Sequence, residues 1–133
     1  MIVVDVNILA YFVLRGENAA LASSVAEKDS DWRAPRLWRS EMLNILSGYI
    51  RRGTLSVGTA MHAFQEADLA VKAQVPVDEW RVLELVNLSA CSSYDCEYVA
   101  VAEALQVPLI TNDKQIWRSF PRAAISMQDF LGL

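Results

Sequence analysis

The sequence has few of the residues that bind zinc, form disulfides or cross membranes. It contains two cysteines, Cys91 and Cys96, and one histidine, His62, among 133 residues. Two cysteines without a second pair predict neither a disulfide framework nor a structural zinc site. No stretch approaches the roughly 20 apolar residues that a membrane-spanning helix needs. A disulfide scaffold, a zinc protein and a membrane protein are therefore disfavoured.

The N-terminal residues and the cysteine content indicate a cytoplasmic protein. Asp5 stands where a secretory signal peptide would carry basic residues. Both cysteines are expected to be reduced, with Cys96 as a small core residue. His62 has no second histidine or triad partner, so we expect it to be a surface or half-buried residue and not a catalyst.

The charge balance leaves nucleic-acid partners open. The formal net charge of −4 argues against broad nonspecific binding to nucleic acid, but a local basic surface remains possible. Two bound divalent cations would neutralise this charge. Hydrophobic residues make up 53% of the chain and the mean hydropathy is +0.20, which is high for a soluble monomer and suggests that a partner covers some apolar surface.

Short apolar stretches and amphipathic segments predict one α/β domain over residues 1–133. Strands are expected at 2–4, 32–35, 109–111 and 123–126. Helices are expected at 8–14, 17–28, 37–52, 57–72, 78–88, 94–105 and 115–119, with a final turn to residue 133. This order favours a parallel sheet covered by helices.

Three aspartates stand at the positions where a parallel sheet gathers its functional groups. Asp5 follows the first strand, Asp95 opens a helix, and Asp113 follows the strand 109–111. Strand carboxyl ends and the first turns of helices meet at one edge of such a sheet. If the two strands are parallel neighbours, about 4.8 Å apart, Asp5 and Asp113 lie side by side. Two unpaired carboxylates at about 4 Å repel by roughly 4 kcal/mol at an effective dielectric of 20, so this cluster needs a proton or a cation.

Glu41 is a fourth acid, on the apolar side of the helix 37–52. A glutamate there is costly unless it is paired, protonated or bound to a metal, and an ion pair with a neighbouring arginine is an equally open explanation. Asp95 likewise has a structural explanation, because Ser92-x-x-Asp95 matches a capping box. A single metal site explains all four acids together, whereas structural roles must explain each one separately.

Four segments occur in a recognisable order along the whole chain. They are Asp5-Val6-Asn7, RSEMLN at 39–44, SYDCEYVAVA at 93–102 and TNDK at 111–114. They resemble the D-x-N, E-x-x-N, S-x-Y-D-A-x-Y-V-A-L-A and T-x-D-K motifs of the PIN-domain nucleases, most closely of the VapC-type toxins of bacterial toxin–antitoxin pairs. The third motif, followed at the right distance by the fourth, is the specific part of the resemblance.

The resemblance implies a three-layer α/β/α sandwich with a central, mainly parallel sheet. It also implies an endoribonuclease that depends on one or two Mg²⁺ or Mn²⁺ ions, which agrees with the all-oxygen donor set. The metal ligands would be Asp5, Glu41, Asp95 and Asp113. The implied partners are an RNA substrate, a protein antitoxin and a second copy of the chain. Some family members carry a further acid after the fourth, which this chain lacks, so either one or two ions fit.

Residues beside the acids are expected to support them. Asn7 would orient Asp5 or a metal-bound water, or would only cap the first helix; Ser93 has the same two possible roles. Thr111 would brace Asp113 from behind. Candidates for contacts with RNA phosphates are Arg36, Arg39, Lys114 and Arg118.

Two other classes of protein are compatible with parts of the sequence. A receiver or haloacid-dehalogenase fold also ends its first strand in aspartate, but the latter requires a second aspartate where this chain has Asn7, and neither explains Glu41. A non-catalytic PIN-like module that binds RNA or protein would keep the same acids without turnover. Cleavage of RNA in the presence of Mg²⁺ or Mn²⁺ separates this module from a nuclease.

Overall fold

The computed structural model describes residues 1–133, which form five strands and eight helices. The strands are β1 (Ile2–Val4), β2 (Trp32–Ala34), β3 (Val71–Gln74), β4 (Leu109–Ile110) and β5 (Ala124–Ile125). The helices are α1 (Val6–Val13), α2 (Ala19–Lys28), α3 (Trp38–Arg51), α4 (Val57–Ala70), α5 (Glu79–Asn87), α6 (Ser93–Leu105), α7 (Lys114–Ser119) and α8 (Met127–Leu131).

The strands form one sheet in the order β3-β2-β1-β4-β5, and every neighbouring pair is parallel. Parallel neighbours require crossover connections, which the helices supply. All three residues of the central strand β1 are buried, as expected for a strand covered on both faces. The three-layer α/β/α sandwich with a parallel sheet is confirmed.

The edge strand β3 corrects the sequence prediction. The helix predicted over 57–72 ends at Ala70, and the chain continues directly into β3. This strand pairs only with β2, and its burial alternates from buried Val71 to exposed Lys72 and from half-buried Ala73 to exposed Gln74. A four-residue edge strand with polar alternate positions lacks the continuous apolar run that marks the inner strands, so helical periodicity extended through it.

Capping side chains fix where most helices begin. The caps are Asp5 for α1, Ser56 for α4, Asp78 for α5, Ser92 for α6, Asp113 for α7 and Ser126 for α8. The expected cap Asn7 is wrong, because the Asp5 carboxylate accepts the N–H groups of Asn7 and Ile8 at 2.9 and 3.2 Å. The final segment, predicted as a turn, is a helix because Ser126 caps it.

The core is one cluster of 33 buried hydrophobic residues between the sheet and its helices. Helix α6 packs on β1, and the small residues Ala100 and Ala102 on its buried face allow a close approach. Trp38 stacks on Phe64 with ring centroids 5.5 Å apart. No helix has both the length and the apolar character needed to cross a lipid bilayer.

Helix α6 ends at Gln106, the one non-glycine residue with a positive φ, at φ 57° and ψ 43°. Glycine adopts this left-handed conformation without the steric cost of a Cβ atom. We expect Gln106→Gly to raise the free energy of unfolding by about 0.5–1 kcal/mol, measured by urea denaturation. Gln65→Gly, at an exposed position inside α4, is the matched control and should lower it by about 1 kcal/mol. A loss of stability in Gln106→Gly would contradict the left-handed conformation.

Candidate active site

The register of β1 and β4 places Thr111 beside Asp5. Val4 is opposite Ile110, so the next residue of each strand lies at the same level on the carboxyl edge of the sheet. The Thr111 hydroxyl donates a hydrogen bond to Asp5 Oδ2 and accepts the N–H of Asp113 at 3.0 Å. The expectation that Asp5 and Asp113 lie side by side is therefore corrected, since Thr111 occupies the neighbouring position. Thr111 contacts Asp113 through its backbone and supports the Asp5 carboxylate directly.

Asp5 is a buried carboxylate with only 5% of its surface exposed. Burial raises its pKa to about 6, against the lowering effect of hydrogen bonds from Thr111, Ile8 and Asn7. The charge of Glu41 raises this pKa further. The ordinary hydrogen bonds of the fold therefore do not fully compensate the buried charge.

Glu41 points from the first turn of α3 towards α6. It is half-buried, and its Oε1 accepts a hydrogen bond from the Tyr98 hydroxyl at 2.7 Å. Burial raises the pKa of Glu41, the hydrogen bond from Tyr98 lowers it, and the charges of Asp95 and Glu97 raise it. No arginine pairs with Glu41, so the ion-pair explanation of this residue is not what the structure contains.

Asp95 and Asp113 each lie at the start of a helix. The N–H of Asp95 donates to Ser92 Oγ at 3.1 Å, so the predicted cap of α6 is present. Burial raises the pKa of the Asp95 carboxyl, and the charge of Asp113 raises it further. Asp113 caps α7 and accepts the N–H of Gln115 at 2.8 Å. Both aspartates therefore have a structural role and still influence each other electrostatically.

The four acids form an electrostatically linked row from Asp5 through Glu41 and Asp95 to Asp113. None of them belongs to a salt bridge. The side chains do not converge into a ready group of three acidic, histidine or cysteine ligands. Mg²⁺, however, usually keeps several waters and binds through one or two carboxylates, so a complete protein cage is not required. The donor chemistry and the uncompensated charge fit a hard divalent ion.

The structure places the two polar helix-start residues differently from Thr111. Asn7 lies in the first turn of α1 and bonds Asp5 through its backbone N–H, while its side chain is exposed and makes no hydrogen bond. Ser93 is the exposed first residue of α6, also without a side-chain hydrogen bond. Asn7 and Glu41 line one cleft of about 530 Å³, so Asn7 lies beside the acids. The water-orienting roles of Asn7 and Ser93 stay predictions.

The four predicted phosphate-binding cations fall into two groups. Arg39 is already engaged, because it pairs with Asp68 at 2.6 Å and lies over the rings of Trp38 and Phe64. The other three side chains are exposed and form no salt bridge; they are Arg36, Lys114 and Arg118. The second group is free to contact an anion.

Tyr98 is a contact that the sequence did not predict. It is buried, with 3% of its surface exposed, and it joins α6 to Glu41 on α3, 57 residues away along the chain. Its spacing of three residues from Asp95 places both on neighbouring positions of one helix face. That spacing is the signal that could have indicated a supporting role.

The largest cleft lies away from the acids. It measures about 690 Å³ and is bordered by α5, α6 and residues 119–123, and none of the four acids lines it. Val107 and Pro108, which precede β4, place this cleft at the amino edge of the sheet. Cleft size alone therefore does not mark the site that the acids define.

A parallel α/β/α sandwich with unpaired carboxylates at its carboxyl edge defines an α/β protein with an acidic edge site. The family model of the PIN domain matches residues 2–124, and the chain belongs to the PIN-domain family. Members of this family are typically nucleases that use divalent metals. The predicted family is confirmed.

Two solved structures share this fold. The crystal structure of PAE2754 from Pyrobaculum aerophilum superimposes with a TM-score of 0.75 at 19% identity, covering 98% of this chain and 93% of that one. A toxin–antitoxin complex from Klebsiella pneumoniae gives a TM-score of 0.67 at 16% identity, covering 96% and 98%. No curated protein matches the chain in sequence. At these identities the comparison establishes the fold alone.

Proposed function

We propose that this protein is a metal-dependent endoribonuclease that acts as the toxin of a toxin–antitoxin pair. The observation that carries the proposal is the row of four acids at the carboxyl edge of a PIN-domain sheet, without a cation partner. A purely structural set of polar strand ends and caps would not leave the buried Asp5 uncompensated. A divalent cation removes that electrostatic conflict.

Each acid has a proposed place in the site. One or two Mg²⁺ or Mn²⁺ ions would be held by Asp5, Glu41, Asp95 and Asp113. When bound, such an ion lowers the pKa of a water and offsets charge on a phosphate. Thr111 holds the Asp5 carboxylate through its hydroxyl, and Tyr98 holds Glu41. The two hydroxyl groups thereby fix carboxylates on two different elements.

The exposed cations supply the complementary charge for RNA. Lys114 adjoins Asp113, and Arg118 lies one turn further along α7. Arg36 immediately precedes the helix that carries Glu41. We propose that these three side chains contact phosphates and position the strand over the acids.

The proposed protein partners are an antitoxin and a second copy of the chain. The resemblance to the toxin–antitoxin complex from Klebsiella pneumoniae supports an antitoxin partner. Apolar surface is present for protein contacts, because Trp80, Leu83 and Leu88 of the α5 region are 76%, 65% and 70% exposed. A large exposed apolar patch commonly marks an interaction surface.

Cleavage of RNA by the purified protein tests the proposed function. The protein is freed of any bound inhibitor by denaturation and refolding, stripped of metal, and incubated with total RNA and with Mg²⁺, Mn²⁺ or a chelator. We expect endonucleolytic fragments with either metal and none with the chelator. Binding of RNA without any cleavage would instead support a non-catalytic module, which the absence of a preassembled metal cage also favours.

Tyr98→Phe tests how Glu41 is positioned. Removing the hydroxyl leaves a half-buried Glu41 oxygen without its donor, so we expect cleavage to fall about 10-fold and the Mn²⁺ concentration for half-maximal rate to rise about 10-fold. Tyr94→Phe is the matched control, because Tyr94 is exposed and its hydroxyl makes no hydrogen bond. An unchanged metal dependence in Tyr98→Phe would reduce Tyr98 to a packing role.

A further inference from the structure

A continuous groove leads away from the acids between α1 and α3. The cleft of about 530 Å³ that contains Glu41 shares Asn7 with a second cleft of about 280 Å³. The second cleft shares Arg15 and Tyr49 with a third of about 450 Å³, which ends near His62 on α4. Because neighbouring clefts share lining residues, they form one path across the surface. We call this path the α1–α3 groove.

The floor of the α1–α3 groove combines aromatic and aliphatic side chains. Tyr11 and Leu14 contribute from the α1 side and Tyr49 from α3, and all three are partly buried. The guanidinium of Arg52 lies 4.8 Å above the Tyr49 ring. Tyrosine and arginine planes are surfaces on which unpaired nucleic-acid bases stack.

The charges near the α1–α3 groove favour an anionic occupant. Arg15 and Arg52 are exposed and form no salt bridge, unlike Arg33, Arg39 and Arg81, which all pair with acids. Of the two glutamates in the groove, Glu66 pairs with His62 at 2.9 Å, and only Glu17 remains unpaired. Unpaired arginines therefore outnumber the unpaired acid.

We propose that the α1–α3 groove binds single-stranded RNA adjoining the bond that is cut, with bases stacked at Tyr49 and Arg52 and a phosphate held by Arg15. This inference rests on the proposed function, since it extends the substrate path from the same acids. In a duplex the faces of the bases are stacked and inaccessible, whereas a single strand offers both bases and phosphates to such a floor. An apolar floor alone would suit a peptide, but the two unpaired arginines favour a polyanion.

RNA affinity of groove variants is the direct test. Fluorescence anisotropy with a labelled single-stranded oligoribonucleotide is measured in an Asp5→Asn background, so that no strand is cut. Arg15→Gln should weaken binding about fivefold and reduce the slope of log affinity against log salt by about 0.7. Tyr49→Leu should weaken binding at least about fivefold with an unchanged slope, and should not change the binding of a duplex. Arg122→Gln, an exposed unpaired arginine at the opposite edge, should change neither quantity.

The outcomes separate this inference from the proposed function. If the wild type cleaves RNA and Arg15→Gln and Tyr49→Leu leave affinity and cleavage unchanged, the groove inference is overturned and the nuclease stands. If the wild type cuts no RNA but both variants lose affinity, the groove inference stands and the nuclease fails. Unchanged RNA affinity with weaker binding of a co-expressed antitoxin identifies a protein-docking groove and overturns the inference. Should Tyr49→Leu fail to fold by circular dichroism, Arg52→Gln replaces it, with the same affinity loss expected.

Discussion

Asp5→Asn is expected to lower RNA cleavage by at least about 1000-fold while the protein remains folded, equivalent to roughly 4 kcal/mol of transition-state stabilisation. The amide cannot supply the negative charge that the proposed metal site needs. It can still perform the structural work of Asp5, because asparagine is as good a helix cap as aspartate. Its side-chain oxygen can also accept the N–H groups of Asn7 and Ile8. The substitution therefore separates the chemistry from the fold.

The measurement is a single-turnover rate on labelled RNA with saturating Mn²⁺, beside circular dichroism and urea denaturation of the same samples. Asp68→Asn is the matched control, because Asp68 is an exposed acid that pairs with Arg39 away from the site. We expect the control to cleave at the wild-type rate within about threefold. A rate for Asp5→Asn within tenfold of the wild type would remove Asp5 from the metal site and undermine the proposed function.

The inner strands could be predicted from the sequence because local patterns alone determine them. β1 and β4 are buried on both faces, so their residues form continuous apolar runs that end at polar residues. β3 could not be predicted in the same way. It lies at the edge of the sheet, follows α4 without a break, and depends on pairing with β2. Such a strand is defined by its neighbour more than by its own sequence.

The site shows the same division between local and distant information. The positions of Asp5, Asp95 and Asp113 follow from strand ends and helix starts, which the sequence marks. The partners of the acids depend on contacts that cross the chain. The hydrogen bond from Tyr98 to Glu41 spans 57 residues. A one-residue difference in strand register decides which group faces Asp5, and no local pattern specifies that register.

The metal-free protein is expected to lose about 3 kcal/mol of stability through Asp5 as the pH rises. The pKa of this carboxyl is about 6 in the folded chain, against 3.8 as its ordinary value. Below pH 3.8 both the folded and the unfolded states carry the proton, so the group has no effect. Between the two values the unfolded chain releases its proton while the folded chain retains it, which favours unfolding. The loss is complete once the pH has risen through about 6.

Urea denaturation in a chelator, from about pH 4 to pH 8, measures this loss as the difference between the wild type and Asp5→Asn. The variant cannot ionise at this position, so it should be more stable than the wild type at high pH, and the difference should shrink towards low pH. Adding Mn²⁺ at high pH should stabilise the wild type and not the variant, because an ion that binds only the folded state shifts the equilibrium by mass action. Asp68→Asn controls for general charge effects. Parallel pH profiles for wild type and Asp5→Asn would mean that the fold already compensates the buried carboxylate, and the electrostatic reason for a cation would disappear.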